Sequence, residues 1–239
     1  MSISFVHKPK IFITGCSWAH GEWGEGNEQY TVIHEGLIQY FREDGYNVLF
    51  SGKGGSGNLE SCQRLTDQLE QYYEKNDVIL FIQTDPIRDL NESLTDQLIQ
   101  TQSYVKLGEQ LLENFYYKIN SVGQKFDSVV NLIGGLYDLL PLQKLKNYYH
   151  IRPLVESWIN LLVPDQIQIG ISDNSYTVRD IDFSKLDKDI SHKIVDEMYK
   201  LDYNRKVWKN DYYFKPDNKH PNRKAHKILY HVVKEKLEL

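Results

Sequence analysis

Two cysteines, Cys16 and Cys62, are all that the 239 residues contain, too few for a disulfide framework. No apolar run approaches the roughly 20 residues needed to cross a bilayer. Met1–Lys8 lacks the basic start and apolar core of a signal peptide. These shortages predict a chain with no membrane span, cytoplasmic where it is made. Release by cell lysis, as for a phage-encoded product, is compatible with them too. Internal repeats and low-complexity tracts are missing. So is an excess of positive charge: 28 Lys and Arg face 33 Asp and Glu, a net of −5, with the signs interspersed. A general nucleic-acid binder shows a basic face, so no nucleic-acid partner is expected. Only the last forty residues are locally basic (Lys200, Arg205, Lys206, Lys209, Lys215, Lys219, Arg223, Lys224, Lys227), which reads as a solvated face or a phosphate contact.

What is present is ordinary globular composition, 41% hydrophobic and 26% charged. The length fits one large domain or two small ones, and suffices to bury roughly three quarters or a little less of the unfolded surface. Along the chain, Ile11–Thr14 reads as a strand that stops at Gly15, and the glycines of Ala19–Asn27 mark a loop. Glu28–Glu43 reads as a helix, with Val32, Ile33, Leu37, Ile38 and Phe41 near helical spacing, ended by Asp44-Gly45. Tyr46–Phe50 is a second strand, Ser51–Asn58 a glycine-rich turn and Leu59–Glu74 a helix. Asp77–Gln83 is a near-continuous apolar run, the pattern of a strand covered on both faces. Leu94–Ser121 reads as one long helix or two, and Ser128–Ile133 as a fourth strand. This alternation predicts a parallel sheet with helices on both sides. Beyond Leu136 the pattern weakens: prolines punctuate short helices, Gln166–Ile171 offers a strand and Ser191–Leu201 a helix. We expect one domain over 1–239, with an insertion or lid at about 141–210. Pro221–Leu237 is a helix with proline at its first position, a favoured place.

The residues that carry chemistry lie at the two ends. Ser17 follows the first strand, and in open α/β sheets ligands gather at the carboxyl ends of the strands. Its plainer reading is a turn or cap serine. Asp217 and His220 share a loop near the other end. His220 precedes Pro221, which steers it away from helical angles, so its ring can project from the mouth of the last helix. Asp217 can reach the ring's Nδ1–H, fixing the tautomer and leaving Nε2 as a base. Their plainer reading is helix capping. Ser17 would then be a nucleophile activated by His220, and Cys16, its neighbour, a small buried hydrophobe. A glycine N–H from the turn and the Asn58 amide are candidates for holding an oxyanion. The same turn, Gly52-x-Gly54-x-x-Gly57, matches the dinucleotide fingerprint in its letters. It follows the second strand, however, and the acidic residue about 20 positions on is Asp77, at the near end of its strand. A metal reading rests on Asp217, His220, His226 and His231, but a spacing of five puts His226 and His231 about 140° apart on a helix.

Together these segments resemble the SGNH hydrolases, the GDSL esterase/lipase family. Gly15-Cys16-Ser17-Trp18 is similar to the family's Gly-Asp-Ser block, with cysteine in place of aspartate. Gly55-Ser56-Gly57-Asn58 is similar to the second block, and Asp217-x-x-His220 with Pro221-Asn222 to the last. The third block, usually Gly-x-Asn-Asp, corresponds to Ile82-Gln83-Thr84-Asp85, so Thr84 stands where the family has its oxyanion asparagine. The resemblance implies a three-layer α/β/α sandwich of flavodoxin-like type and ester hydrolysis through an acyl-enzyme. It casts Ser17, His220 and Asp217 as the triad, with the N–H groups of Ser17 and Gly55 at the oxyanion and Asn58 or Thr84 standing in for the missing asparagine. It implies no cofactor and no metal, and a small-molecule or carbohydrate ester as substrate, O-acetyl groups among them. Thr84 motivates the alternative of a non-catalytic SGNH-like binding or structural module.

Overall fold

The structure, a computed structural model, describes residues 8–26, 29–89, 104–135, 138–162, 213–214 and 220–239. The expected strand at 166–171 and helix at 191–201, most of the expected lid, and Asp217 lie outside them. The first strand, β1 (Ile11–Gly15), is buried along its whole length. Its neighbours are β4 (Val48–Phe50) and β5 (Val78–Gln83), and the sheet continues through β6 (Val130–Gly134) to β7 (Ile151–Val155). Every pair is parallel. The sheet order β4-β1-β5-β6-β7 is second, first, third, fourth, fifth along the chain, the flavodoxin-like order. Its switch point lies between β1 and β5, where such sheets open a crevice at the carboxyl edge.

Period-two alternation explains the layers, because successive strand residues point to opposite faces. Ile11, Ile13, Leu80, Ile82 and Ile133 join one core with α2 (Leu37–Glu43), α6 (Trp158–Leu162) and α7 (Arg223–Leu237). Phe12, Ile79, Phe81, Val130 and Leu132 join the other with α3 (Asn58–Tyr72) and α4 (Tyr104–Lys125). The expected α/β fold with helices on both sides is therefore what forms. The sheet's second face is also where Thr14 Oγ1 donates to the Ser61 carbonyl, 3.3 Å away, tying β1 to α3.

Three expectations fail locally. Glu28–Glu43 is not one helix. Gln29–His34 is β3, paired antiparallel with β2 (Glu22–Gly26), and only Leu37–Glu43 is helical. Tyr30-Thr31-Val32-Ile33 is an aromatic and β-branched run, which favours a strand, and Gly36 with φ +54 breaks the path into the helix. Ile151–Val155, expected among proline-punctuated helices, is the edge strand of the sheet, where Pro153 removes no needed ladder bond. Pro221 does not begin the last helix. Asn222 is its N-cap, accepting from the N–H groups of Lys224 and Ala225, while Pro221 bridges to Phe214. Among the described residues no helix is long and apolar enough to cross a membrane.

Candidate active site

Ser17 owes its place to the residues on either side. Gly15 leaves β1 with φ +145, and a Cβ there would lie 2.5 Å from the Ile82 carbonyl oxygen, so only glycine lets β1 and β5 approach this closely. Cys16 is extended and wholly buried, and Ser17 opens the short α1 (Ser17–His20). Trp18, next in line, is locked in the core, edge-on to Trp158 at 5.6 Å and against Phe214 at 5.7 Å. With its neighbours on both sides anchored inward, Ser17 is presented at the carboxyl edge of the sheet.

His220 arrives from the other end of the chain. Phe214 bridges Pro221 and the Asn222 N–H donates to the Tyr213 carbonyl at 2.8 Å, closing the base of the segment that carries it. Arg223, first residue of α7, pairs with Glu22 at 2.7 Å, and the Glu22 side chain is buried. His220 Nε2 lies 2.9 Å from Ser17 Oγ, across 203 residues of sequence. The structure thus brings together the two groups that the sequence singled out at opposite ends.

The glycine-rich turn packs against the end of β1. The Lys53 N–H donates to the Gly15 carbonyl at 3.1 Å, and Ser56 Oγ donates to the Lys53 carbonyl at 2.8 Å. Ser56 N–H to Lys53 O at 3.3 Å closes a four-residue turn. Its third residue, Gly55, has φ +78 while Gly54 is not in the positive region. That is a type II turn, which needs glycine at that position. The central amide of such a turn, the Gly55 N–H, points away from the turn's own hydrogen bond. A Cβ on Gly54 would sit 4.0 Å from Ser17 Cβ, which places the turn beside the serine.

Across the crevice, β5 is followed by Thr84, 1% exposed, whose Oγ1 has no hydrogen-bond partner among the described residues. The register pairs Gly15 with Ile82, so Thr84, two residues past Ile82, and Ser17, two past Gly15, leave adjacent strands at the same level. Asn58, expected at the oxyanion, is turned elsewhere. Its Nδ2 donates to the Thr84 carbonyl at 3.1 Å and its Oδ1 accepts the Thr84 N–H at 2.8 Å. The same amide and the Leu59 N–H approach the buried carboxyl of Asp89, which burial pushes up to about 6 against those hydrogen bonds. Asn58 therefore fixes the end of β5 to the start of α3.

Asp89 also bears on the dinucleotide motif. A Cβ on Gly57 would lie 2.2 Å from Asp89 Oδ1, so a carboxyl already occupies the mouth of α3, where a pyrophosphate would have to sit. Asp77 accepts from the Lys10 N–H at the far edge of the sheet. Among the other histidines, His226 is a core residue. Its Nδ1 accepts from the Leu37 N–H, its ring packs on Trp158 and under Gly36, and burial holds it down at about 3. The described residues contain no group of three or more His, Cys, Asp or Glu able to hold a metal ion.

Two neighbours of the site escaped sequence reasoning. Trp23 Nε1 donates to the Ser17 carbonyl at 2.9 Å, and its ring lies 5.6 Å from that of His220. Glu22 is the partner of Arg223. Both sit on β2, a strand read as a glycine loop, and in a loop neither residue has a face to be assigned to. The alternation Glu22-Trp23-Gly24-Glu25 was the one available signal. Behind Thr84, Gln83 is held by Tyr116, whose hydroxyl donates to Oε1 at 2.7 Å, while Nε2 donates to the Asp138 carbonyl at 2.8 Å.

No protein-family model matches the chain, and no curated protein matches it. Solved structures are similar to it along nearly its whole length. The protein YxiM from Bacillus subtilis is 11% identical with a TM-score of 0.47; the match covers 96% of this chain and 56% of YxiM, so the chain spans about half of that protein. The psychrotrophic esterase EstA from Pseudoalteromonas sp., in a structure inhibited by monoethylphosphonate, is 13% identical with a TM-score of 0.44, covering 97% of both chains. TesA is 14% identical with a TM-score of 0.42, covering 96% of this chain and 98% of that one.

Proposed function

We propose that the protein is a serine ester hydrolase of the SGNH type. The observation that carries this reading is the 2.9 Å contact between Ser17 Oγ and His220 Nε2 at the switch point of a parallel sheet. A hydroxyl within hydrogen-bond reach of an imidazole is the pairing that nucleophilic catalysis needs. Ser17 Oγ attacks the ester carbonyl carbon as its proton passes to His220 Nε2. The carbonyl π pair moves onto oxygen, and the N–H groups of Ser17 and Gly55, with the Thr84 hydroxyl, stabilise the charge. Collapse breaks the ester C–O bond, and the leaving alkoxide takes the proton from His220. Water then repeats the sequence on the acyl-enzyme, giving the carboxylic acid and free Ser17. Asp217 is proposed as the carboxylate that orients His220, and Asn58 as the residue that fixes Thr84.

The test is turnover of p-nitrophenyl acetate by the wild type, Ser17→Ala, His220→Ala and Asp217→Asn. We expect the first two substitutions to reduce kcat by at least about 10³-fold, as for a nucleophile and its base. Labelling of Ser17 by a fluorophosphonate, read by mass spectrometry, is expected in the wild type and lost in Ser17→Ala. Equal background rates in wild type and Ser17→Ala, without labelling, would favour the non-catalytic binding module.

A further inference from the structure

The space beside the proposed nucleophile has a wall. The indole of Trp23 stands over the glycine turn and against the His220 ring, and its N–H holds the Ser17 carbonyl at 2.9 Å. Its closeness to the turn shows in the reach of Gly54. A Cβ on Gly54 would lie 3.7 Å from Trp23 Cη2, 3.8 Å from Cζ2 and 4.0 Å from Ser17 Cβ. Those are ordinary van der Waals separations on both sides. Gly54, the indole edge and Ser17 therefore border one narrow space, and a methyl group carried by residue 54 itself would already touch both other walls.

Trp23 is not free to swing aside. Its ring also meets His20 edge-on at 5.6 Å, and His20 packs on Phe50 at 4.9 Å. The hairpin that bears Trp23 is anchored at Gly21, where a Cβ would fall 2.2 Å from the His34 carbonyl oxygen. The neighbouring Glu22–Arg223 ion pair fastens the same strand to the helix that follows His220.

We propose that Trp23 is the specificity-determining residue of this site, restricting the acyl group to short chains by narrowing the space beside Ser17 and Gly54. The inference rests on the ester hydrolase reading, and it assigns the indole two tasks. The ring face sets the length of acyl chain, and the N–H positions the backbone of the nucleophile.

The experiment measures kcat/KM for p-nitrophenyl acetate, butyrate and octanoate with the full chain and four variants, Ser17→Ala serving as the blank. The wild type is expected to favour acetate over octanoate by at least about tenfold, the order of discrimination available to a few methylenes against a rigid wall. Trp23→Ala should raise the octanoate-to-acetate ratio by at least about tenfold. Trp23→Phe keeps a ring and loses the N–H, so it should retain the chain-length preference with a lower kcat. Gly54→Ala fills the same space from the other side without steric conflict, and should reduce acetate turnover by at least about tenfold at an unchanged melting temperature. This last variant serves if Trp23→Ala does not fold. A wild type that hydrolyses octanoate as well as acetate, a ratio unchanged in Trp23→Ala, or full acetate turnover in Gly54→Ala overturns the role of Trp23 and leaves the hydrolase standing. No ester hydrolysed faster than by Ser17→Ala overturns both.

Discussion

A buried hydroxyl with no partner is a cost unless something arrives to use it. Among the described residues Thr84 Oγ1 is such a group, set just past the strand next to the one that delivers Ser17. Thr84→Val keeps the shape and removes only the hydroxyl. If that hydroxyl serves the oxyanion, kcat should fall by about 10²- to 10³-fold, the usual loss of one donor. The melting temperature should not fall, because no hydrogen bond to the described residues is broken. A structural threonine gives the opposite pair of results, so stopped-flow kinetics and calorimetry on the one variant decide its role. At this scale the sequence was legible where a residue type is scarce and its chemistry narrow. Ser17 and His220 were found from a strand end and an X-Pro loop, and they lie in contact. Asn58 was legible as important and misread as to partner, since nothing in the order of residues says which way an amide points.

Elements decide whether such residues meet. The last helix carries no site residue, yet its first turn governs where His220 stands. Asn222 accepts two N–H groups of that turn and donates its own N–H to Tyr213. Asn222→Ala should cost about 1 kcal/mol, the typical value of an N-cap, or roughly 2–4 °C in melting temperature for a chain of this size. It should also slow turnover with little change in KM, because the base loses its fixed approach while the substrate's walls remain. The hairpin of β2 and β3 does the corresponding work for Trp23. It was not legible, and the reason is physical. Tyr30-Thr31-Val32-Ile33 favours a strand locally, but Val32 and Ile33 also fall at helical spacing with Leu37 and Ile38. Only the partner strand, itself disguised by Gly21, Gly24 and Gly26, resolves the choice. The edge strand at Ile151–Val155 was hidden by Pro153 for a similar reason: proline speaks against a strand only when both its edges are paired.

Over the whole molecule, two buried groups pull stability in opposite directions across the same pH range. His226 is held at about 3 by burial, below the ordinary 6.5 of an unfolded histidine. Between those values the unfolded chain binds more protons, so this residue's contribution is lost as pH falls. Asp89 is pushed up to about 6 from an ordinary 3.8. There the folded chain binds more protons, and stability is lost as pH rises through that window. Asp89→Asn removes the opposing contribution, so its melting temperature should drop more steeply than the wild type's between pH 6 and pH 4, a comparison one series of thermal scans provides. A parallel sheet covered on both faces follows from the apolar runs in Ile11–Thr14, Asp77–Gln83 and Ser128–Ile133, whereas the strand order was implied by the resemblance alone. The pKa displacements do not, because depth of burial is a property of the assembled layers. The distance in sequence between Ser17 and His220 has one more consequence. A ribosome making this chain releases the nucleophile early and its base only after some two hundred further residues. Under the proposed mechanism the growing polypeptide would be inert toward esters until the closing helix docks, and hydrolysis would itself be a direct reporter of completed folding.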